Sequence, residues 1–225
     1  MNAPLQPAVA PPTPARPMIL VLGGIATLSG LLVVLVYHLT LPRIEANHRA
    51  AVEAAVFAVL PGAACRQSLW LDEAGLHHQP VKGGREFHAV FDGDGRLLGI
   101  AAEGVAQGYA GPVRLIWGWR PDCRCIVGMR IVGMTETPGL GDKVASDEAF
   151  LANFAALEAR PTADGLEHPI VTVRHGRKQQ PWEIDAISGA TISSRAVGEA
   201  IARSAETLLP RVAGLLEKLT VEEEG

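Results

Sequence analysis

An uninterrupted apolar segment near the N-terminus constrains the fold of this chain more than any other feature. Residues 18–37 are apolar apart from a few Gly residues, Thr27 and Ser29, and no charged residue lies between Arg16 and Arg43. At about 1.5 Å per residue, about 20 helical residues span a hydrocarbon core of ~30 Å. We therefore predict a transmembrane helix over residues 18–38. A cleaved signal peptide is the main alternative, but the segment is long for one, and no clear small-x-small cleavage site follows it.

The segments on either side of this helix have compositions of their own. Residues 1–17 are rich in Pro and Ala and are predicted to form a disordered tail. Residues 39–84 are interpreted as a helical linker and the start of the main domain, with a helix over 44–60 that ends at Pro61-Gly62. Residues 211–225, which include the acidic run 222–224, are interpreted as a C-terminal tail. Basic residues flank both ends of the apolar segment, so their count does not orient it.

Residues 85–210 have the sequence pattern of a domain that contains both strands and helices. Short apolar runs on either side of residues 92–95 (Asp-Gly-Asp-Gly) predict a hairpin. A calcium loop is the rival interpretation, and it is disfavoured because the acidic pattern stops after two residues. Further strands are predicted over 113–119, 125–134 and 170–173, with a helix over 145–157. Consecutive strands joined by tight turns and flanked by helices indicate an α+β fold with a mainly antiparallel sheet.

Composition and motifs exclude several classes of function. The formal net charge is −4 and aromatic residues make up 5%, and no basic patch with interleaved aromatic residues suggests nucleic-acid binding. There is no Ser-His-Asp pattern, phosphate-binding P-loop or dinucleotide-binding glycine fingerprint, so no catalytic residue is assigned.

The three cysteines, Cys65, Cys123 and Cys125, are too few for a closed zinc site. Free thiols, a disulfide between the last two and a metal site all remain open, and we predict no metal.

The stretch 185–194 (Asp-Ala-Ile-Ser-Gly-Ala-Thr-Ile-Ser-Ser) is the most informative motif. It places the Thr191 hydroxyl directly after a Gly-Ala pair and at the start of an amphipathic helical pattern. Glycine allows close approach of the backbone, and a helix start offers unpaired N–H groups to an anion. A phosphate could therefore bind or be attached here. The alternative is an ordinary helix cap, because hydroxyl residues are common at helix starts.

This motif resembles the sequence that a flavin transferase recognises in FMN-binding domains, where the FMN phosphate is joined to the second Ser/Thr hydroxyl. Residues 136–143 (Glu-Thr-Pro-Gly-Leu-Gly-Asp-Lys) and 108–112 (Gly-Tyr-Ala-Gly-Pro) resemble two further hallmarks of the same family, in the same order. The chain looks most like the G subunit of the Rnf electron transport complex, an ion-translocating ferredoxin:NAD oxidoreductase. The alternatives are the C subunit of the sodium-pumping NADH:quinone oxidoreductase, a membrane-anchored flavin-binding regulator or maturation protein, and an exported domain without flavin.

The resemblance implies an electron-carrier subunit with FMN attached covalently to Thr191 and an FMN-binding domain over residues 85–210. It implies a single-pass protein of the bacterial inner membrane, with a cytoplasmic N-terminus and a periplasmic domain. The implied partners are iron–sulfur and flavin subunits of a membrane redox complex, and a flavin transferase for maturation. The implied cofactor-binding residues lie beside the attachment site and in the opposing loop: Ser188, Gly189, Ala190 and Ser193, and Glu136, Thr137, Gly139, Leu140 and Lys143.

Overall fold

A computed structural model describes residues 15–216, and the chain divides into two compact units, residues 1–47 and 48–225. A single helix, α1 (Ala15–Val59), begins in the first unit and ends in the second. Its most apolar 18-residue window has a mean hydropathy of 2.7 and none of it is buried, so α1 is long and apolar enough to cross a membrane. The prediction of one N-terminal apolar helix is thus confirmed. Residues 1–14 of the predicted tail and residues 217–225 lie outside the described part.

The helix continues through Pro42, although the sequence suggested one helix over 18–38 and a second over 44–60. Proline removes one backbone donor from the helical hydrogen-bond ladder. The turn before it carries an extra side-chain bond, because the Thr40 hydroxyl donates to the Val36 carbonyl at 2.9 Å. One missing bond in a helix of 45 residues therefore leaves the helical path intact. The predicted end at Pro61-Gly62 is close to the observed end at Val59.

The second unit is built on a seven-stranded antiparallel sheet with the order β2-β1-β3-β4-β5-β6-β7. Helices and a small two-stranded parallel sheet complete the α+β fold, which confirms the predicted class. The strands are β1 Cys65–Asp72, β2 Gly75–His77, β3 Arg85–Phe91, β4 Leu97–Gln107, β5 Pro112–Arg120, β6 Cys125–Gly133, β7 Leu157–Glu158, β8 Val171–Val173 and β9 Glu183–Asp185. The helices after α1 are α2 Glu148–Leu151 and α3 Thr191–Ala213, with short 3-10 helices at Gly141–Ala145 and Ala152–Phe154.

Two parts of the sequence fold differently from the prediction. The strands β1 and β2 lie in the segment 39–84, which was interpreted as a helical linker and the start of the main domain and for which no strand was predicted. The predicted helix over 145–157 is divided into α2 and a 3-10 helix, followed by β7. Asn153 accounts for part of this break. Its side-chain amide donates to the Phe150 carbonyl at 2.9 Å and its oxygen accepts from the Asp185 amide at 3.0 Å, which ties the segment to β9.

Both faces of the sheet are covered, at least in part, by helices. On one face, α3 buries its apolar side, including Ala196, Val197 and Ile201, against the main core. On the other face, the end of α1 packs Val56 and Val59 against the central strands. This second contact requires glycine in the sheet: a Cβ at Gly118 or Gly128 would lie 2.8 or 2.6 Å from the Val59 carbonyl oxygen.

The cysteine pair lies in and beside the turn that joins β5 to β6. A disulfide joins Cys123 to Cys125, with a Cα–Cα distance of 5.2 Å. Cys123 lies in this turn, and β6 begins at Cys125, where the predicted strand over 125–134 also begins. Arg124, between them, adopts a left-handed φ of 51°, which curls the chain. Of the three possibilities left open by the sequence, the structure therefore has the disulfide, and Cys65 is free and exposed.

Candidate functional site

A cleft of about 500 Å³ lies where the start of α3 meets two loops at one end of the strands β4, β5 and β6. Three separate parts of the sequence line it: the turn between β4 and β5, the loop after β6, and residues 189–193. These are the three segments that carry the family resemblance. The lining residues are Tyr109, Glu136, Thr137, Leu140, Gly141, Gly189, Ala190, Thr191, Ile192 and Ser193.

Thr191 is the first residue of α3 and is partly exposed to the cleft. The preceding turn is fixed by Ser194, whose hydroxyl donates to the Ala190 carbonyl at 2.9 Å and accepts from the Ile187 amide at 3.1 Å. Gly189 in this turn has a φ of 81°, a conformation that favours glycine. Ala190 provides no side-chain cap, and the first turn of α3 holds no acidic residue. The helix therefore presents backbone N–H groups and the positive end of its dipole beside the Thr191 hydroxyl.

The opposite wall of the cleft is the loop that follows β6. The Thr137 carbonyl accepts from the amides of Leu140 and Gly141, at 3.2 and 3.1 Å, which closes a tight turn. Gly139 has a φ of 77° in this turn and is not among the lining residues. The turn places the Leu140 side chain, 53% exposed, at the cleft.

Apolar side chains with high exposure concentrate at this cleft. Tyr109, Leu140 and Ile192 are 70%, 53% and 52% exposed, and in the described part of the second unit only Val105 and Val171 join them as exposed large hydrophobic residues. Such clustering is typical of a ligand or partner site. Sequence reasoning did not assign Tyr109 or Ile192 to the site. Tyr109 belongs to the motif at 108–112, whereas Ile192 fits the amphipathic pattern of α3, which by itself does not indicate a ligand contact.

Ser188 and Lys143 do not line this cleft. They border a neighbouring cavity of about 270 Å³, together with Asp147, His175 and Asp185. Asp185, the first residue of the recognised motif, accepts hydrogen bonds from the amides of Gly176 and Arg177 at 3.0 and 3.4 Å. Its carboxylate thus anchors the loop between β8 and β9 beside the neighbouring cavity.

A second cluster of metal-ligating residue types lies away from the cleft. The candidate ligand atoms of Glu158, Glu167 and His168 lie within 4.8 Å of one another. Arg160 is within 3.5 Å of Glu158 and 3.6 Å of Glu167, so the two carboxylates already share a cation. His168 contacts Glu158 at 2.9 Å and stacks on Trp182. We interpret the cluster as an ion-pair network.

The cleft residues have the chemistry needed for a phosphorylated, planar, largely apolar group. The start of α3 suits a phosphate, the Thr191 hydroxyl is a possible attachment point, and the exposed apolar residues suit a ring system. FMN has this combination of parts. Glu136 is the one cleft residue that does not suit a phosphate, because its carboxylate and the phosphate would both be negatively charged. Both of its oxygens already accept hydrogen bonds from other groups of the chain.

Comparisons with known proteins agree with this interpretation of the cleft. The model of the FMN-binding domain family matches residues 108–206, which include all three lining segments. Two solved structures are similar in fold. NqrC of Shewanella oneidensis has a TM-score of 0.63 and 18% identity, over 77% of this chain and 100% of that one. The C subunit of the Na(+)-translocating NADH-quinone reductase from Parabacteroides distasonis has a TM-score of 0.58 and 17% identity, over 75% of this chain and 95% of that one.

Curated relatives identify the family more closely. The G subunit of the ion-translocating oxidoreductase complex of Methanosarcina acetivorans is 34% identical over 51% of this chain and 54% of its own length, so that match spans about half of the relative. The G subunit of the Na(+)-translocating ferredoxin:NAD(+) oxidoreductase complex of Acetobacterium woodii is 33% identical over 46% of each protein. The Haemophilus influenzae G subunit is 30% identical over 90% of this chain and 94% of its own length. With a match of that extent, and with an FMN-binding domain over the cleft, the chain belongs to the family of G subunits of ion-translocating oxidoreductase complexes.

Proposed function

We propose that this protein is a membrane-anchored electron-transfer subunit of an Rnf-type ion-translocating oxidoreductase and that it carries FMN. The observation that supports this most is the position of Thr191, at an uncapped helix start that opens on an apolar-rimmed cleft. FMN supplies one- and two-electron redox chemistry when bound, and the protein supplies attachment, orientation and electrostatics. The α1 helix provides the membrane anchor.

The proposed attachment is a phosphoester between the Thr191 hydroxyl and the FMN phosphate, made by a flavin transferase. The Oγ–P bond forms while a phosphoanhydride bond of an activated flavin, such as a flavin dinucleotide, breaks. The nucleotide leaves and the hydroxyl proton passes to a base. Gly189 and Ala190 leave room beside the phosphate, and the N–H groups of the first turn of α3 donate to its oxygens. A tether keeps the cofactor at the site even where free FMN is scarce.

The remaining cleft residues are proposed to orient the ring. Leu140 and Ile192 offer apolar contacts, Tyr109 offers an aromatic face, and Thr137 offers a hydroxyl. Gly139 contributes through the turn that presents Leu140. Lys143 and Ser188 border the adjoining cavity, from which Lys143 contributes positive charge towards the phosphate region.

The disulfide supports the proposed location of the domain. Stable disulfides form in oxidising compartments and are rare in the reducing cytosol. The Cys123–Cys125 disulfide therefore favours a periplasmic second unit and a cytoplasmic N-terminus. In this orientation a C-terminal alkaline phosphatase fusion is expected to be active in cells, and an inactive fusion would reverse the assignment.

The names of the relatives support the proposed partners. They denote one subunit of an ion-translocating complex, and in Acetobacterium woodii a ferredoxin:NAD(+) oxidoreductase. We therefore propose iron–sulfur and flavin subunits of such a complex as partners in electron transfer. NqrC of Shewanella oneidensis shares the fold at 18% identity, which supports a related architecture only.

Attachment is tested by flavin fluorescence of the denatured protein in a gel, using Thr191→Ala and, as a matched control, Thr207→Ala, which changes an exposed threonine of the same helix outside the cleft. We expect the wild type and Thr207→Ala to fluoresce and Thr191→Ala to be dark. A fluorescent Thr191→Ala band would refute the assignment of Thr191. A dark wild-type band, from cells that express the transferase, would refute covalent attachment altogether.

A further inference from the structure

The Glu136 carboxylate is almost completely buried, with 7% of the residue exposed, at the wall of the cleft. Its two oxygens bond to different segments. Oε2 accepts a hydrogen bond from the Ser193 hydroxyl at 2.6 Å, and Oε1 accepts one from the Ala110 amide at 3.3 Å. A buried carboxylate is costly unless such bonds compensate for its lost hydration. Both carboxylate oxygens of Glu136 are therefore used in hydrogen bonds within the protein.

Two glycines make room for this carboxylate. An added Cβ at Gly108 would overlap Oε1, and one at Gly141 would overlap Oε2 and approach the Ser193 hydroxyl to 2.7 Å. Gly108 belongs to the turn between β4 and β5. This turn is closed by a hydrogen bond that the Gly108 amide donates to the Gly111 carbonyl at 2.8 Å. The three cleft segments thus converge on one side chain, although Glu136 and Ser193 are 57 residues apart in sequence.

We propose that Glu136 is a positioning residue that clamps the 108–111 turn and the loop after β6 to the first turn of α3. The clamp fixes the direction of the α3 start and so sets the orientation of the neighbouring Thr191 hydroxyl. The Ser193 hydroxyl is part of the clamp, because it donates to the Glu136 carboxylate. It is therefore not available to the phosphate, whose donors are the backbone N–H groups at the start of α3. The consequence for attachment rests on the proposed function, whereas the clamp itself does not.

The clamp predicts a specific pattern of amide hydrogen exchange in the full-length protein in detergent. The reporting amides are Ala110, which bonds to Glu136, and Ser194, which makes the first bond of α3 to the Ala190 carbonyl at 2.9 Å. Glu136→Ala removes both acceptors and is expected to speed exchange at both amides, on the order of tenfold or more for a lost charged hydrogen bond. Glu136→Gln keeps the side-chain shape but makes weaker, neutral hydrogen bonds. Its exchange rates at both amides are expected to lie between those of the wild type and those of Glu136→Ala.

Two further variants separate the sides of the clamp. Ser193→Ala breaks only the bond to α3, so exchange is expected to quicken at Ser194 while Ala110 keeps most of its protection. Glu206→Gln removes the same charge from an exposed site on α3 and is expected to leave both amides unchanged. Unchanged exchange at both amides in Glu136→Ala, or equal changes in Glu206→Gln, would overturn the clamp.

The consequence for attachment is measured as the initial rate of covalent flavin incorporation by the transferase. Glu136→Ala is expected to be slower by about tenfold or more, and combining it with Ser193→Ala is expected to add little, because both changes break the same link. A wild-type rate in Glu136→Ala with altered exchange would show a structural bond without a positioning role and would overturn the proposal. A wild type without flavin would refute the proposed function, while the exchange pattern would still decide the clamp.

Discussion

His88 provides a stability prediction whose size follows from the structure. It lies on β3, on the sheet face that also contacts the end of α1, and only 5% of the residue is exposed. Its Nδ1 is 3.0 Å from the Ser68 hydroxyl and 3.4 Å from the Arg66 guanidinium. Burial, with a smaller contribution from the Arg66 charge, lowers the pKa of His88 from 6.5 to about 4. The imidazole is therefore neutral in the folded protein at neutral pH.

The lowered pKa makes the folded state sensitive to acid. Because the unfolded chain binds this proton more readily, the stability that the neutral imidazole preserves is complete above pH 6.5. It is lost progressively as the pH falls from 6.5 to about 4. At 1.36 kcal/mol per pKa unit, the loss is about 3 kcal/mol. Other groups titrate in the same range, so the measurable quantity is a difference between the wild type and His88→Gln.

The assay is urea unfolding of both proteins in detergent, followed by tryptophan fluorescence at pH 7 and pH 4. We expect the wild type to lose about 3 kcal/mol more unfolding free energy than His88→Gln over this interval, although the variant is less stable at pH 7. Equal losses in the two proteins would refute the reasoning. They would mean that the buried imidazole accepts a proton in the folded state at no extra cost.

Three further results are expected. Gly128→Ala should lower the unfolding free energy by about 1–3 kcal/mol, because the added Cβ would overlap the last turn of α1. Gly93→Ala should have little effect in the same assay, because no heavy atom lies within 4 Å of the added Cβ. Alkylation of the denatured, unreduced protein should modify Cys65 alone, and prior reduction should raise the count in the mass spectrum to three; three without reduction would contradict the disulfide. Leu140→Ser should make flavin fluorescence easier to quench with iodide, since the apolar rim would shield the ring less; unchanged quenching would contradict contact with the ring.

Sequence reasoning succeeded where the signal is local. The apolar segment, the hairpin at residues 92–95 and the start of α3 each follow from adjacent residues and their periodicity. The β1 strand was missed because the residue between the buried Leu69 and Leu71 is Trp70, so the sequence does not show a clean alternation of apolar and polar residues. The predicted helix over 145–157 is interrupted, in part because the Asn153 side chain accepts a hydrogen bond from the Asp185 amide of β9, a contact between residues distant in sequence.

In the site, too, local motifs could be predicted from the sequence and contacts between distant residues could not. The motif around Thr191 could be recognised as a unit, and the structure brings it to the same cleft as Glu136 and Leu140. Proximity in sequence was misleading for Ser188, which borders a neighbouring cavity although it is three residues from Thr191. The bond between Glu136 and Ser193 links two motifs across 57 residues, and no local pattern predicts it. Long-range contacts of this kind require the fold.

The central claim is that Thr191 carries FMN, and mass spectrometry of the protein purified from membranes tests it most directly. Intact mass followed by peptide fragmentation decides among the four hydroxyl residues Ser188, Thr191, Ser193 and Ser194. The account predicts a mass increase of one FMN less one water, localised to Thr191 and absent from Thr191→Ala. An unmodified wild-type protein from transferase-expressing cells, or the same increase on another of these residues, would contradict it.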